Sequence, residues 1–409
     1  MHRAHLTGPA LAALAALAAC APAADRPAFV AVDLIASPAG PGSAEPNLAV
    51  DATGQVHLTW LERTGESTWA LRHARRDLDH WSAPSTIVER DDLFVNWADF
   101  PSVFVAPSGQ ITAHWLQRSS GGRYSYDVVI RQSSDGGASW SEPRTLNTDG
   151  RPVEHGFVSF VGAEGDSVEA FWLDGRATGG YHEGGAMQLA NSRIAADGGA
   201  SPNVMLDTRI CDCCQTSAAM TSRGPVVVYR DRSPDEIRDI AIVRRVAGRW
   251  TEPARVHADE WHIDGCPVNG PSVAADGELV AVAWFTGARD TARVRLAFSS
   301  DAGATFGPAI QVDEGNPVGR VDVELDDDGR AIVSWLERTA GEEAAVLVRA
   351  VTPAGIRSPV APVATSSAAR AAGFPRMARH GSDIVFAWTQ PGDTSRVFLA
   401  EGRLTIARQ

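Results

Sequence analysis

Seven times along the chain a short, mostly apolar run ends in an aromatic residue. The runs are His57-Leu58-Thr59-Trp60, Thr112-Ala113-His114-Trp115, Glu169-Ala170-Phe171-Trp172, Val226-Val227-Val228-Tyr229, Val280-Ala281-Val282-Ala283-Trp284, Ile332-Val333-Ser334-Trp335 and Val385-Phe386-Ala387-Trp388. Their aromatic ends lie 51 to 57 positions apart. Runs of this length and composition, bounded by Gly, Pro, Asn and Asp, predict β-strands. A self-similar period of roughly 40–50 residues or slightly more, built from short strands, is the signature of a β-propeller with one four-stranded antiparallel blade per repeat.

Each repeat follows one order, clearest in the second. An inner strand at 101–105 leads through Pro107-Ser108-Gly109 into the strand ending at Trp115, a polar loop runs to Tyr126, and strands at 127–132 and 143–146 follow. Inner strands recur at 47–50, 157–161, 217–220, 271–274, 320–325 and 375–378. The expected fold is therefore all-β, a propeller of seven blades, with six as the alternative count. After 396–401 the last repeat has only 404–406 as a weak fourth strand, whereas 29–35 reads like the outer strands elsewhere. Pairing this N-terminal strand into the last blade closes the ring and removes an open sheet edge.

Composition agrees with one domain. Gly 38 and Pro 24 suit many hairpins, and no Pro- or Ser-rich linker divides the 409 residues. The expected division is a leader at 1–19, a short tether at 20–27 and a single propeller at 28–409. Arg3 and two His precede an apolar run at 10–19, too short to span a bilayer, as in an export signal. The formal charge of −13 argues against nucleic acid or an anionic lipid surface as partner.

Two turns between third and fourth strands share one pattern. Ser133-Ser134-Asp135-Gly136-Gly137-Ala138-Ser139-Trp140 and Ser299-Ser300-Asp301-Ala302-Gly303-Ala304-Thr305-Phe306 both fit Ser-x-Asp-x-Gly-x-Ser/Thr-aromatic. The Asp side chain can accept bonds from the turn's own amides, Gly supplies positive φ, and the aromatic plugs the blade. The segments 133–140 and 299–306 resemble the Asp-box of sialidases and related propellers (the BNR repeat). That resemblance implies the propeller and a carbohydrate or small acidic ligand. Leu17-Ala18-Ala19-Cys20 resembles the lipobox of bacterial lipoproteins, implying acylation of Cys20 and attachment to the cell envelope, periplasmic or outer, through the lipid alone. An ordinary signal peptide cleaved nearby is the other reading, and both place the mature chain outside the cytoplasm.

Short hairpins and the Asp-boxes fall on one face of the ring, so the long loops and blade-to-blade crossings fall on the other. Along that second face lie acids suited to proton transfer, Asp99, Asp174, Asp231 and Glu337, each of which can equally be a structural ion pair. Sialidases hold a substrate carboxylate with three Arg. Arg176, Arg230, Arg232, Arg289 and Arg320 are the candidates here, with Trp97 and Trp261 to stack on sugar. The chain has no Arg-Ile-Pro-type motif, and its last tyrosine, Tyr229, comes too early for the usual sialidase nucleophile.

Four cysteines remain beyond Cys20: Cys211, Cys213, Cys214 and Cys266, on the crossings into the fourth and fifth blades. In an exported chain an even number predicts one or two disulfides and no cofactor. The alternative is zinc or copper, held by these thiols with His262, His155 or His182. Asp326-Asp327-Asp328-Gly329 reads as a solvated hairpin turn rather than a calcium loop. Three functions follow: a lipid-anchored, sialidase-like glycoside hydrolase for acidic sugars, a non-catalytic glycan- or protein-binding propeller, or a metal or redox protein centred on the Cys/His cluster. Oligomeric state is set by no feature of the sequence.

Overall fold

The computed structural model describes residues 27–405 except 78, 121 and 180–184. The leader, Cys20, His182 and Glu183 lie outside the described residues. Seven separate antiparallel sheets form a seven-bladed β-propeller. Its inner strands are Ser43–Val50, Ser102–Val105, His155–Gly162, Ser217–Thr221, Ser272–Asp276, Pro317–Leu325 and Arg376–His380. In the first and fourth blades the outer edge is split into two short pieces, His80–Trp81 with Ser85–Arg90 and Arg249–Trp250 with Ala254–Arg255. The alternative of six blades is excluded.

The N-terminal strand Phe29–Ile35 pairs with Arg396–Leu404, matching Phe29 to Leu404 and Ile35 to Leu399. It is the outer strand of the seventh blade. Leu404 ends the third strand of that blade and Thr405 donates its N–H to Ala28 O, while the rest of the weak 404–406 candidate lies outside the described residues.

Each blade packs both faces against neighbours, which explains why its second strand is buried along nearly its whole length. Residues Val168–Asp174 are buried at every position. Trp60, Trp115, Trp172, Trp284 and Trp335 are among the largest fully buried side chains. A buried indole N–H needs an acceptor. Three carboxylates and one amide supply it two residues downstream: Glu62 (3.2 Å), Gln117 (3.4 Å), Asp174 (2.9 Å) and Glu337 (2.5 Å). For Trp284 the acceptor is Asp259, at 2.6 Å.

The two Ser-x-Asp turns close as their sequences predict. Asp135 accepts from Ser133 Oγ, Ser139 N and Ser139 Oγ, and Asp301 from Ser299 Oγ, Thr305 N and Thr305 Oγ1. These bonds, led by those from Ser139 and Ser299, pull both carboxyls down to about 2. Inner strands of all seven blades line an axial channel of about 690 Å³. Within it Asp322 accepts from Ser272 and pairs with Arg376.

Candidate functional site

The crossings on the long-loop face reach over the axis. Register pairs Asn47, Ser159 and Asp322 with Thr59, Phe171 and Ser334, each next to a ring tryptophan, so the three inner strands are in phase. Just before these residues, the first, third and sixth blades share a one-residue register shift. Glu45, Phe157 and Arg320 sit there with φ of 53°, 56° and 55°. A β-bulge with a non-glycine residue in the left-handed region re-aims a side chain at a local cost, and such bulges concentrate beside functional sites.

Arg320 uses its bulge to reach under Trp97. Its guanidinium lies 4.9 Å from the indole centroid, and its N–H groups donate to the carbonyls of Gly373, Ala368 and Ala369. Burial lowers its pKa to about 10. Phe374 stacks on Trp97 at 6.0 Å, and the exposed Arg370 lies 5.9 Å over the same ring. Trp97 itself is only partly buried, so part of its aromatic surface is open to solvent. Glu45 is buried, and burial lifts its carboxyl to about 8 against the pull of Arg320.

Two residues on, Asp99 is buried and ties this loop to the third blade. Its Oδ1 accepts from Phe157 N at 2.7 Å and its Oδ2 from the Tyr126 hydroxyl at 3.4 Å. A side chain on Gly156 would collide with Asp99 Oδ2, which accounts for glycine there. Burial drives the Asp99 carboxyl well above its ordinary range. Tyr126 also meets Glu154 Oε1 at 2.6 Å. Glu154 is half-buried, and burial, with the nearby Asp212 charge, lifts its carboxyl to about 7 although the Tyr126 bond lowers it. Asp212 is raised by burial and by Cys211, opposed by Arg232, whose Nη1 is 3.1 Å from Oδ2. Carboxyls tuned to neutral pH beside an aromatic platform are what general acid chemistry requires.

The structure brings Trp97, Asp99 and Arg320 together but does not gather the arginines. Arg230 is fully buried against Trp261 (4.8 Å) and donates to the carbonyls of Arg238, Asn269 and Phe285. Arg176 forks onto Asp174 at 2.7 and 2.8 Å, Arg232 binds Glu236 and Asp212, and Arg289 is exposed on the turn Ala288–Asp290. Asp174 and Glu337 hold the ring indoles. Asp231 accepts from Arg232 N, and its carboxyl is lifted to about 6, first by burial and then by Asp207 and Asp239. Glu154, Asp212, Glu45 and Arg370 were not singled out from sequence. Glu154 had one usable signal: like Trp97 and Asp99, it stands just ahead of an inner strand.

The cysteine loop borders the same region. Gln215 donates to Ala98 O, and Cys213 packs, as Trp97 and Phe100 do, against one apolar cluster that includes Ala98, Phe157 and Phe374. All four cysteines are unbonded, so the expected disulfide is not formed. The nearest sulfurs, Cys211 and Cys214, are 3.4 Å apart, and Cys211 and Cys213 are 3.9 Å apart. These distances exceed a disulfide's ~2.05 Å because the tight turn points all three sulfurs inward around one point rather than in pairs. Cys266, on the next crossing, is exposed and stands outside the group formed by the other three. Burial opposes a Cys211 thiolate, but the bonds to Cys213 and Cys214 and the charges of Arg238 and Arg230 outweigh it and hold the thiol well below its usual range. His262 is exposed, and among the described residues no histidine joins the three grouped thiols.

No family model matches the chain, and no curated protein matches it in sequence. Solved structures match its fold. The polysaccharide lyase Uly1 aligns at TM-score 0.53 and 11% identity over 88% of this chain and 90% of that one. A protein of unknown function from Dyadobacter fermentans DSM 18053 aligns at 0.52 and 12% over 92% and 98%. The α-L-arabinanase of Penicillium chrysogenum, complexed with arabinobiose, aligns at 0.50 and 12% over 91% and 98%. At such identities the likeness establishes the propeller and nothing finer.

Proposed function

We propose that this protein is an exported propeller, lipid-anchored through Cys20 in the bacterial cell envelope, that binds acidic glycans on its long-loop face and cleaves a glycosidic bond there. The carrying observation is Glu154: a half-buried carboxyl pinned by Tyr126 at 2.6 Å, which burial and the charge of Asp212 lift to about 7. Protonated below that pH, it can donate to a leaving glycosidic oxygen. Asp212, ion-paired to Arg232, supplies negative charge to an oxocarbenium-like transition state. Trp97 offers a stacking face, and Arg370 beside it meets a carboxylate or sulfate on the sugar. That the lyase and the arabinanase act on polysaccharide from rings of the same architecture supports a glycan ligand.

The test is a panel of acidic and neutral polysaccharides incubated with the purified protein, followed by reducing ends and by unsaturated uronide absorbance. Glu154→Gln should abolish turnover and keep binding, and Trp97→Ala should weaken binding. Binding without turnover in the wild type would leave the non-catalytic, glycan-binding reading. No binding to any member, or full turnover by Glu154→Gln, sinks the assignment.

A further inference from the structure

We infer that Cys211, Cys213, Cys214 and Cys266 form a site for one thiophilic d10 cation, zinc(II) or copper(I), that staples the crossings into the fourth and fifth blades. The first three sulfurs are grouped within 4.8 Å of one another, and Cys211 and Cys214 are fully buried. With metal–sulfur bonds of about 2.3 Å, the edges of a tetrahedron of thiolates measure about 3.8 Å. The observed separations of 3.4 and 3.9 Å bracket that edge. Cys266, the remaining free thiol, stands on the neighbouring crossing outside this close group and supplies the fourth ligand by moving toward it.

The surroundings suit an anionic cluster. Arg238, buried, has Nη1 3.2 Å from Cys211 Sγ, and the buried Arg230 lies on the same side. Guanidinium groups placed against sulfur offset the negative charge that several thiolates around one cation leave over. On binding, each ligating thiol releases its proton to solvent and no electron is transferred. All-sulfur ligation selects soft ions over magnesium, calcium or manganese. Glu154 contributes no ligand, whereas Asp212 stands between two of the cysteines and joins this site to the proposed proton transfer.

Full-length protein purified from the envelope should carry about one equivalent of zinc or copper by elemental analysis, or take it up after mild reduction and chelation. Zinc is offered in air and copper(I) anaerobically against a competing chelator, and cobalt(II) should give sulfur-to-metal charge-transfer absorption. Cys266→Ser, at an exposed position, should fold and raise Kd at least about tenfold, the loss that removing even an outer partner brings. Cys211→Ser should abolish uptake, and Glu154→Gln should leave stoichiometry unchanged. Disulfides in the native chain that block uptake, four titratable thiols that bind neither metal, or unaltered binding in Cys266→Ser would each overturn the inference.

Discussion

The Tyr126 hydroxyl lies 2.6 Å from Glu154 Oε1 and 3.4 Å from Asp99 Oδ2, so one buried phenol links an accessible carboxyl to an inaccessible one. Tyr126 is fully buried with Phe94 stacked on it at 3.8 Å, and burial first, then the two acids, raises its own pKa well above the usual range. It therefore positions Glu154 and cannot itself attack a substrate. Because its bond lowers the Glu154 pKa, Tyr126→Phe should move that value above about 7. The alkaline limb of any pH–rate profile should shift upward with it, while Glu154→Gln should lower kcat by about 10²–10⁴-fold.

Glu337 and Asp174 stand on the same face but serve the ring indoles. Glu337→Ala should cost about 1–3 kcal/mol in denaturant unfolding, because Trp335 Nε1 is left without an acceptor. Glu337→Gln should cost less than Glu337→Ala, since an amide oxygen can still serve Trp335 as Gln117 serves Trp115, while Asn316 N loses its acceptor. A loss of turnover in Glu337→Gln with unchanged stability would assign that carboxyl to chemistry instead.

Glu45 sets a pH slope of stability. Its folded pKa of about 8 exceeds the ordinary 4.5, so between those values the unfolded chain has lost a proton that the folded one keeps. Stability attributable to this group is thus full below about 4.5 and falls as pH rises toward 8. Glu45→Gln should flatten the slope across that window in paired unfolding curves.

The turn carboxylates act with the opposite sign. Asp135 and Asp301 titrate at about 2 when folded and near 3.8 otherwise, so their contribution is present above pH 4 and disappears as pH falls toward 2. The double variant Asp135→Ala, Asp301→Ala should show a shallower loss of stability across that acid window than the wild type.

The ring was legible because its determinants are local and repeated. A buried strand needs apolar residues, its indole needs an acceptor two positions on, and a Ser-x-Asp turn needs its hydroxyls and glycine. Even the closure by 29–35 could be read, since the last repeat lacked a partner strand. The arginines misled because a loop arginine looks the same whether it faces solvent or, like Arg230, is surrounded by backbone carbonyls from three segments. Glu154 was missed because its importance comes from Tyr126 and Asp212, partners supplied by other segments. The bulges at Glu45, Phe157 and Arg320 have no marker residue at all.

Closure by Phe29–Ile35 has a kinetic consequence. The strand that completes the seventh blade is among the first parts of the chain to be made, and its partner Arg396–Leu404 is among the last. Contacts of such long sequence separation form slowly and leave sheet edges open in the interval. Refolding should therefore show a late step that depends on strand Phe29–Ile35, and a chain lacking that pairing should form edge-to-edge aggregates rather than a partly built ring.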